Sequence, residues 1–480
     1  MIPPQLGGTK SARAAFGLAF LLLAAAPLAA SEDRVKAMGG LGLLSDDETA
    51  GLIPFLDGNP AGLGLLPSRD RLDLSGRWDA STDGTRPQSL STLPVDTGKV
   101  IGYQGLMLFP SPQWAFQLAV DGTSLDSQPA FSSMDAYQRS GSFLLGRASY
   151  RWGALALGLE TQRTQDSLSF SPGLFDGGVT LGGGQSAQTQ WIAKAGLLVD
   201  LGEAGGPRWQ VGGSFAAPLE PPRQDQTLTL RLPSQPAFTD RRLFTQDGGT
   251  VSGGIYYEEP RALQARLLVV VDGLRTRLAQ TVSDPSPQFP NEALDPLADQ
   301  RSVTLSGAAK ARIHFNDLDL RLGGAVTAAW ETQERFAPGG GPPSGTDRQT
   351  LLQADLEAGL EAPEDYLVGL RLGCSLDRGT IPSTGPTGQP GPVQDCFQAA
   401  LGGEKWISPE WAARIGVLNS LGFDPGGGQS LTSAVVGGVG FRQQDLQLDG
   451  RLTLGETFPL DHSGPTSAQT GFALAGVLFL

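Results

Sequence analysis

The sequence predicts an all-β fold, a membrane-spanning antiparallel β-barrel of about 18 strands, with a count of about 14 to 18 allowed by the pattern. Three observations predict it. Apolar and polar side chains alternate with a period of two residues, the connections alternate between short and long, and the tryptophans concentrate near the predicted strand ends. Each of the three is expected of a strand wall that faces lipid on one side and a polar lumen on the other.

The two-residue period is clearest in the second half of the chain. Leu305 and Ile313 fall on one face of a predicted strand, whereas Lys310 and Arg312 fall on the other. A helix does not place polar or charged residues at every second position and leave the residues between them apolar. Predicted strands of this kind start near residues 71, 100, 114, 141, 154, 187, 207, 251, 262, 299, 318, 348, 366, 394, 410, 430, 446 and 470. Residues 221–250 leave room for one further pair.

The connections between these strands alternate strictly in length. Eight are short, such as residues 110–113 and 443–445, and nine are mostly longer. Outer-membrane barrels have short periplasmic turns and long outer loops, so both ends of the chain are expected on the periplasmic side.

Tryptophan positions indicate two aromatic rows. Five tryptophans adjoin short turns: Trp114, Trp152, Trp209, Trp406 and Trp411. The other three, Trp78, Trp191 and Trp330, are expected at the opposite strand ends, next to the long loops. Two such rows are typical of the two membrane interfaces.

A soluble β-sandwich or propeller stays open as an alternative, because alternation alone does not exclude it. One strand breaks the pattern at Lys405, and a bulge at Gly402–Gly403 would repair it.

The chain divides into three parts. Residues 1–30 have the charged, apolar and small-residue regions of a cleaved secretion signal. Residues 31–70 form a glycine-rich N-terminal segment on the periplasmic side or in the lumen, and residues 71–480 form the barrel. The expected location is the bacterial outer membrane.

Composition and motifs argue against several functions. The formal net charge of −14 argues against a nucleic-acid partner, because phosphate binding needs a basic surface. No metal or cofactor motif occurs, and Asp46–Glu48 is interpreted as a solvated acidic turn. Asp461-His462-Ser463 is not expected to form a catalytic triad, since a triad is defined by spatial geometry. The chain is therefore predicted not to be an enzyme.

Cys374 and Cys396 flank a loop and are candidates for a disulfide, although the alternation places them on opposite faces.

Residues 37–66 contain small residues, then Asp46–Asp47, then Asn59-Pro60-Ala61-Gly62-Leu63. This segment resembles the entry segment of the fatty-acid-transporter (FadL-type) and PorV-type group of outer-membrane barrels. The resemblance implies that it lies in the lumen as a plug, with Asn59, Pro60, Ala61 and Gly62 as the motif. A plain periplasmic leader is the alternative. The chain end, Phe472 to Leu480, resembles the closing strand that the barrel-assembly machinery recognises.

The strand phases place many charged side chains on the lumen face. The candidates are Arg147, Arg151, Glu160, Lys194, Arg266, Lys310, Arg312, Arg321, Asp355, Glu357, Arg371, Arg414, Arg442 and Arg451, and His314 is expected to line the lumen too. They either select solutes in a water-filled path or brace the wall as ion pairs.

Two functions follow from these observations. One is a channel or transporter for small solutes, hydrophobic ones if the family resemblance holds. The other is a non-transporting outer-membrane scaffold with a secretion or periplasmic partner protein. In both, outer-membrane lipids surround the wall and no cofactor is expected.

Overall fold

The chain folds into a closed antiparallel β-barrel with an 18-strand wall, as the sequence predicts. The computed structural model describes residues 38, 59–65, 71–84, 96–111, 113–128, 137–170, 180–202, 206–220, 223–231, 238–259, 262–283, 292–315, 319–336, 343–362, 365–381, 389–390, 394–423, 429–443, 445–460 and 466–479. The predicted secretion signal lies outside these residues.

The described elements are one short 3₁₀-helix, η1, and twenty strand segments. Their bounds are η1 Pro60–Leu65, β1 Arg71–Gly84, β2 Asp96–Pro110, β3 Trp114–Gln128, β4 Tyr137–Trp152, β5 Leu155–Phe170, β6 Thr180–Gly202, β7 Arg208–Pro218, β8 Arg223–Arg231, β9 Phe238–Glu259, β10 Leu263–Ser283, β11 Glu292–Phe315, β12 Leu320–Phe336, β13 Pro343–Ala362, β14 Tyr366–Ile381, β15 Gln389–Pro390, β16 Gln394–Trp406, β17 Trp411–Phe423, β18 Gln429–Gln443, β19 Leu446–Pro459 and β20 Thr466–Phe479.

Each wall strand pairs with the next along the chain, and β1 closes the ring. Leu72 of β1 lies opposite Met107 of β2 on one side and opposite Leu478 of β20 on the other. Closure leaves no strand edge with free backbone groups, which a wall in contact with hydrocarbon requires.

Twenty segments make eighteen wall positions for two reasons. The segments β7 and β8 both pair with β6 and β9, so together they form one interrupted wall strand. The two-residue segment β15 pairs only with the upper end of β14. The further strand pair that residues 221–250 could hold is therefore not formed; Arg223–Arg231 extends the seventh wall strand.

Apolar side chains cover the exterior of the wall, the reverse of a soluble protein. Along β11, Val303, Leu305 and Ile313 are exposed at 55%, 43% and 42%, while the intervening Ser306 is buried. An exposed apolar belt of this extent identifies the surface that faces lipid. Among the described residues, no helix is long and apolar enough to cross a membrane.

Seven tryptophans are exposed on the exterior, and they mark two levels of the wall. At the inner level, tryptophan–aromatic pairs lie beside the short turns, with ring centroids 4.5 Å apart for Trp114–Tyr150 and 4.6 Å apart for Trp209–Tyr257. At the outer level lie Trp78, Trp191 and Trp330. The eighth, Trp406, is opposite the buried Ala412 and so faces the lumen.

The outer tryptophans are not at strand ends, contrary to the sequence prediction. Trp191 lies eleven residues after the start of β6 at Thr180, and Trp330 lies six residues before the end of β12 at Phe336. Trp330 lies ten positions after Leu320 at the inner turn, which matches the roughly 9–11 residues that a membrane-spanning strand needs. We call this part the lower section of the barrel. The upper section, above the outer tryptophans, extends beyond the membrane.

Candidate functional site

The segment that resembles a plug motif packs against the inner wall. The Asn59 side-chain amide donates hydrogen bonds to the backbone carbonyls of Leu197 on β6 and Gly213 on β7, at 2.9 Å and 3.0 Å. The Asn59 Oδ1 accepts from the backbone N–H of Ala61 at 3.0 Å, and the Asn59 carbonyl accepts from Gly62. The carboxamide therefore holds η1 and joins it to two wall strands at once.

Glycines in the wall make room for this segment. A Cβ at Gly158 on β5 would overlap the backbone of Pro60–Ala61, and a Cβ at Gly196 on β6 would overlap the Asn59 side chain. Gly212 on β7 also lies close to the Asn59 amide. Any larger residue at Gly158 or Gly196 would push η1 away from the wall.

A second part of the N-terminal segment contacts the wall elsewhere. Met38 is fully buried and packs with Leu367 of β14. A Cβ at Gly402 of β16 would overlap the Met38 carbonyl. Around the 18-strand ring, β16 is nine strands from β5 in either direction. The two contacts of the N-terminal segment are therefore on opposite sides of the lumen.

An apolar patch surrounds η1 inside the barrel. Leu63 packs with Leu108, Ala115, Ala119 and Leu145, all buried, and Phe143 borders them. Ala61 packs with Ala156, Leu198 and Tyr256 in a second cluster. These apolar residues face a lumen that also contains many charged and polar side chains. The sequence indicated them only weakly, because alternation predicts which face a residue occupies and not what it contacts.

Three predicted lumen residues lie in one row of the register across β4, β5 and β6. Arg147 is opposite Glu160, which is opposite Lys194. The Arg147 Nη2 lies 2.6 Å from the Glu160 carboxylate, and their side chains are 9% and 4% exposed. Nearer the inner turn, Arg151 and Arg208 both contact Asp200, at 3.2 Å and 2.6 Å.

The far side of the lumen has similar pairs. Arg371 contacts Asp355 at 2.8 Å and Glu357 at 4.0 Å, and Arg321 pairs with Glu361. Arg414 is the most buried: its guanidinium contacts Glu404 at 2.6 Å and Asp449 at 2.5 Å, and all three side chains are at most 3% exposed. Glu404 was missed from the sequence because the expected bulge would have changed its face.

The remaining predicted residues lie on the same face without forming one centre. Arg266 is opposite Lys310, and Arg312 donates to the Gln264 side chain at 2.7 Å. His314 is opposite Arg321. Arg451 is opposite Gly438 on β18, and Arg442 is an exposed residue at the inner end of that strand.

Two expectations about individual residues were wrong. Cys374 and Cys396 are free thiols, because the register places Cys374 opposite Phe397 and Cys396 opposite Ser375, so the two side chains point to opposite faces. The bulge at Gly402–Gly403 is not formed either, since β16 keeps a regular register. Lys405 instead faces outward at the inner end of its strand, where it pairs with Asp365.

The acidic motif and the histidine motif of the sequence are both outside the part of the chain that the structure describes. Asp46–Glu48 and Asp461-His462-Ser463 lie outside the described residues. Within the part of the chain that the structure describes, no three His, Cys, Asp or Glu side chains group closely enough to hold a metal ion.

Comparisons with known proteins bear on the fold. No protein-family model matches the chain, and no curated protein matches it. Among solved structures, the ferric yersiniabactin uptake receptor FyuA from Yersinia pestis is 9% identical with a TM-score of 0.50, over 86% of this chain and 80% of that one. The toluene transporter TodX from Pseudomonas putida is 12% identical with a TM-score of 0.36, over 92% and 96%. TbuX from Ralstonia pickettii, also a toluene transporter, is 13% identical with a TM-score of 0.38, over 93% and 97%. The chain has the fold of an outer-membrane β-barrel.

Proposed function

We propose that this protein is an outer-membrane channel for small, predominantly apolar molecules, and that residues 31–70 act as a plug. The observation that carries the proposal is the docking of Met38 and Asn59–Leu65 on opposite sides of the lumen. A barrel of about 16–18 strands is too wide for its own side chains to fill, so a segment across it controls what passes.

The apolar patch around Leu63 supports the choice of solute. A purely polar channel gains nothing from burying Leu108, Ala119 and Leu145 against a leucine of the plug. If the plug moves away, these side chains become exposed to the lumen, where an apolar solute can replace their contact with Leu63. The same conclusion is implied by the resemblance of residues 37–66 to FadL-type barrels.

The lumen charges support a wall that holds its shape while the plug moves. Below the outer tryptophans, Arg147–Glu160 links the neighbouring strands β4 and β5, and Arg414 links β17 to Glu404 on β16 and, across β18, to Asp449 on β19. Such ion pairs hold strands together. All their members are wall residues, so the pairs do not depend on the position of the plug.

The test is conductance in planar bilayers combined with uptake of a small aromatic hydrocarbon. Gly158→Ala and Gly196→Ala insert a methyl group where η1 packs, and we expect both to increase conductance over the unaltered chain. Gly307→Ala is the matched control, because it lies within a strand and its Cβ would make only an ordinary contact. Equal conductance in all four proteins would refute the plug.

The solute class is tested separately. Leu145→Asn places an amide in the apolar patch, and Thr164→Asn introduces the same amide at a lumen-facing position that is already polar. We expect the first to reduce hydrocarbon uptake and the second to leave it near normal. Equal uptake in both would contradict the apolar path.

The alternative is a closed scaffold with a periplasmic partner. The two-sided docking of the N-terminal segment also fits a barrel that never opens. In that case neither glycine variant conducts and deletion of residues 32–66 leaves the bilayer silent.

A further inference from the structure

Arginines cluster on the exterior of the barrel just above the outer tryptophans. We define the outer arginine patch as Arg277 on β10, Arg301 on β11, Arg348 on β13 and Arg378 on β14, all of which are exposed. On each strand the same face carries apolar residues lower down: Val271, Leu305, Leu352 and Leu372, respectively. The patch is therefore a continuation of the lipid-facing surface and not part of the lumen.

The height of the patch matches the level of lipid headgroups. Arg277, Arg301 and Arg348 each lie 14 residues from the inner end of their strands, and Arg378 lies 12 residues from it. A strand crosses the hydrocarbon in roughly 9–11 residues. The four guanidinium groups consequently extend from the wall just beyond the hydrocarbon, on the outer side.

Two observations relate the patch to neighbouring aromatic residues. The Arg301 guanidinium carbon lies 4.8 Å from the centroid of the Phe336 ring, in a cation–π arrangement. Arg378 is opposite Thr350, which is opposite Trp330, so Arg378 lies in the same register row as an outer tryptophan.

The local charge is positive although the chain is acidic. The carboxylates on this part of the exterior whose side chains the structure describes are Asp247, Asp299 and Glu334, and the Nε and Nη2 atoms of Arg275 donate to Asp299 at 3.0 Å and 2.5 Å. With Arg275 included, this surface has five arginines and three carboxylates. That is an excess of two positive charges in a chain whose net charge is −14.

The inner edge of the wall has the opposite balance. Among the described residues, the exposed charged side chains at or beside the short turns are mostly acidic: Glu259, Asp319, Asp365, Glu410 and Asp445, against Lys405 and Arg442. The outer interface over β10 to β14 and the inner edge of the wall thus differ in the sign of their charge. A general need for solubility would not produce this difference, because both edges meet water.

We propose that the outer arginine patch binds the phosphate groups of an anionic lipid in the outer leaflet. All four cations are arginines, whose planar guanidinium presents two parallel N–H groups to a phosphate, which a lysine cannot do. Headgroup phosphates at the top of the hydrocarbon are within reach of side chains that stand on β10 to β14. The inference does not depend on which solute passes through the barrel, if any does.

The experiment measures binding of the purified full-length mature barrel, in neutral detergent, to immobilised lipopolysaccharide, a phosphorylated glycolipid. The variant is the triple substitution Arg301→Gln, Arg348→Gln and Arg378→Gln. The matched control neutralises three lumen-facing cations on the same side of the barrel, Arg266→Gln, Lys310→Gln and Arg312→Gln. We expect the exterior variant to bind about tenfold more weakly, because three exposed cationic contacts are lost together, and the control to bind as the unaltered barrel does.

Two outcomes would overturn the proposal: undiminished binding by the exterior variant, or an equal loss in the lumen control. A second measurement uses the unaltered chain, in case the triple variant does not fold. Raising NaCl from about 0.1 M to about 1 M shortens the screening length from about 10 Å to 3 Å. Binding through exposed guanidinium groups must weaken over that range, and binding that is insensitive to salt would exclude them.

Discussion

The lower and upper sections of the same strands share one hydrogen-bond ladder but differ in what surrounds their side chains. On β10 the exterior residues Leu267, Val269 and Val271 of the lower section are 49%, 41% and 42% exposed and face lipid. Farther along the same strand and on the same face come Arg275 and Arg277. The change occurs within four residues, while the pairing with β9 and β11 continues. The backbone pairing is therefore the same in lipid and in water. Only the exterior side chains change where the membrane ends.

The lumen shows a parallel difference. In the lower section, Arg414, Glu404 and Asp449 are nearly inaccessible to water, and the N-terminal segment docks beside Gly402. In the upper section, the ion pair Arg335–Asp347 has side chains 41% and 13% exposed. Removing one partner of an ion pair costs most where water cannot solvate the charge that remains, so equal substitutions should have unequal effects in the two sections.

The largest effect is expected from Arg414→Met. It leaves Glu404 and Asp449 buried without their cation, and losing one partner of a buried charge network costs about 3–5 kcal/mol. Arg335→Met, the matched change in the upper section, should cost at most about 1 kcal/mol. Urea unfolding in lipid vesicles, followed by tryptophan fluorescence, measures both. Similar losses for the two variants would contradict the difference in burial.

The exterior gives the next largest effect. Leu356 is 66% exposed on the lipid face of β13. Leu356→Arg places a charge there, in contact with hydrocarbon, and should lower the unfolding free energy by about 2–4 kcal/mol. Thr346→Arg, ten residues away on the same face, should change the unfolding free energy by less than about 0.5 kcal/mol. If both positions tolerate arginine, the membrane does not contact β13 at Leu356.

Docking of η1 should have a smaller effect. Asn59→Ala removes two hydrogen bonds to wall carbonyls, each contributing about 0.5–1.5 kcal/mol. We expect faster proteolysis within residues 31–70 and an unchanged unfolding midpoint of the barrel. A lowered midpoint would mean that the N-terminal segment is part of the wall's stability.

The smallest effect concerns acid. A hydrogen bond from Arg275 in the upper section holds the pKa of Asp299 below its ordinary value. A lowered folded-state pKa stabilises the fold above the unfolded-state pKa, and this contribution is lost as pH falls through the folded-state pKa. Asp299→Asn should therefore slightly reduce stability near neutral pH and remove a little of the acid sensitivity. An Asn variant with an unchanged acid response would show that this pair contributes nothing.

The sequence predicted the lower section well and the upper section poorly. Starts at residues 71, 114, 366 and 446, all at the inner ends of strands, match the structure, because the alternating lipid-facing part of each strand begins there. The start at residue 394 also matches, at the outer end of β16, because that strand has only 13 residues and little upper extension. The starts expected near 187, 251 and 299 instead lie at Thr180, Phe238 and Glu292. These upper extensions have water on both faces, so nothing in them alternates and periodicity does not reveal them.

The candidate site was predictable as a face but not as a set of contacts. Alternation predicted that Arg147, Glu160 and Lys194 share a face, yet their common row follows from the strand register, which periodicity leaves undetermined. The contacts of Gly158 with Pro60 and of Gly196 with Asn59 depend on packing between residues 98 and 137 positions apart in the chain. Only the resemblance of residues 37–66 to a plug segment pointed there.

The central claim is that one continuous strand passes from hydrocarbon into water, and nitroxide labels along β11 test it most directly. In a chain with Cys374→Ser and Cys396→Ser, single labels would replace Ala309, Leu305 and Asp299 on the exterior, with Ala308 as a lumen control. Collision rates with oxygen and with a water-soluble nickel complex report each environment. We predict lipid contact at 309 and 305 and water contact at 299 and 308; water contact at 309, or lipid contact at 299, would contradict the account.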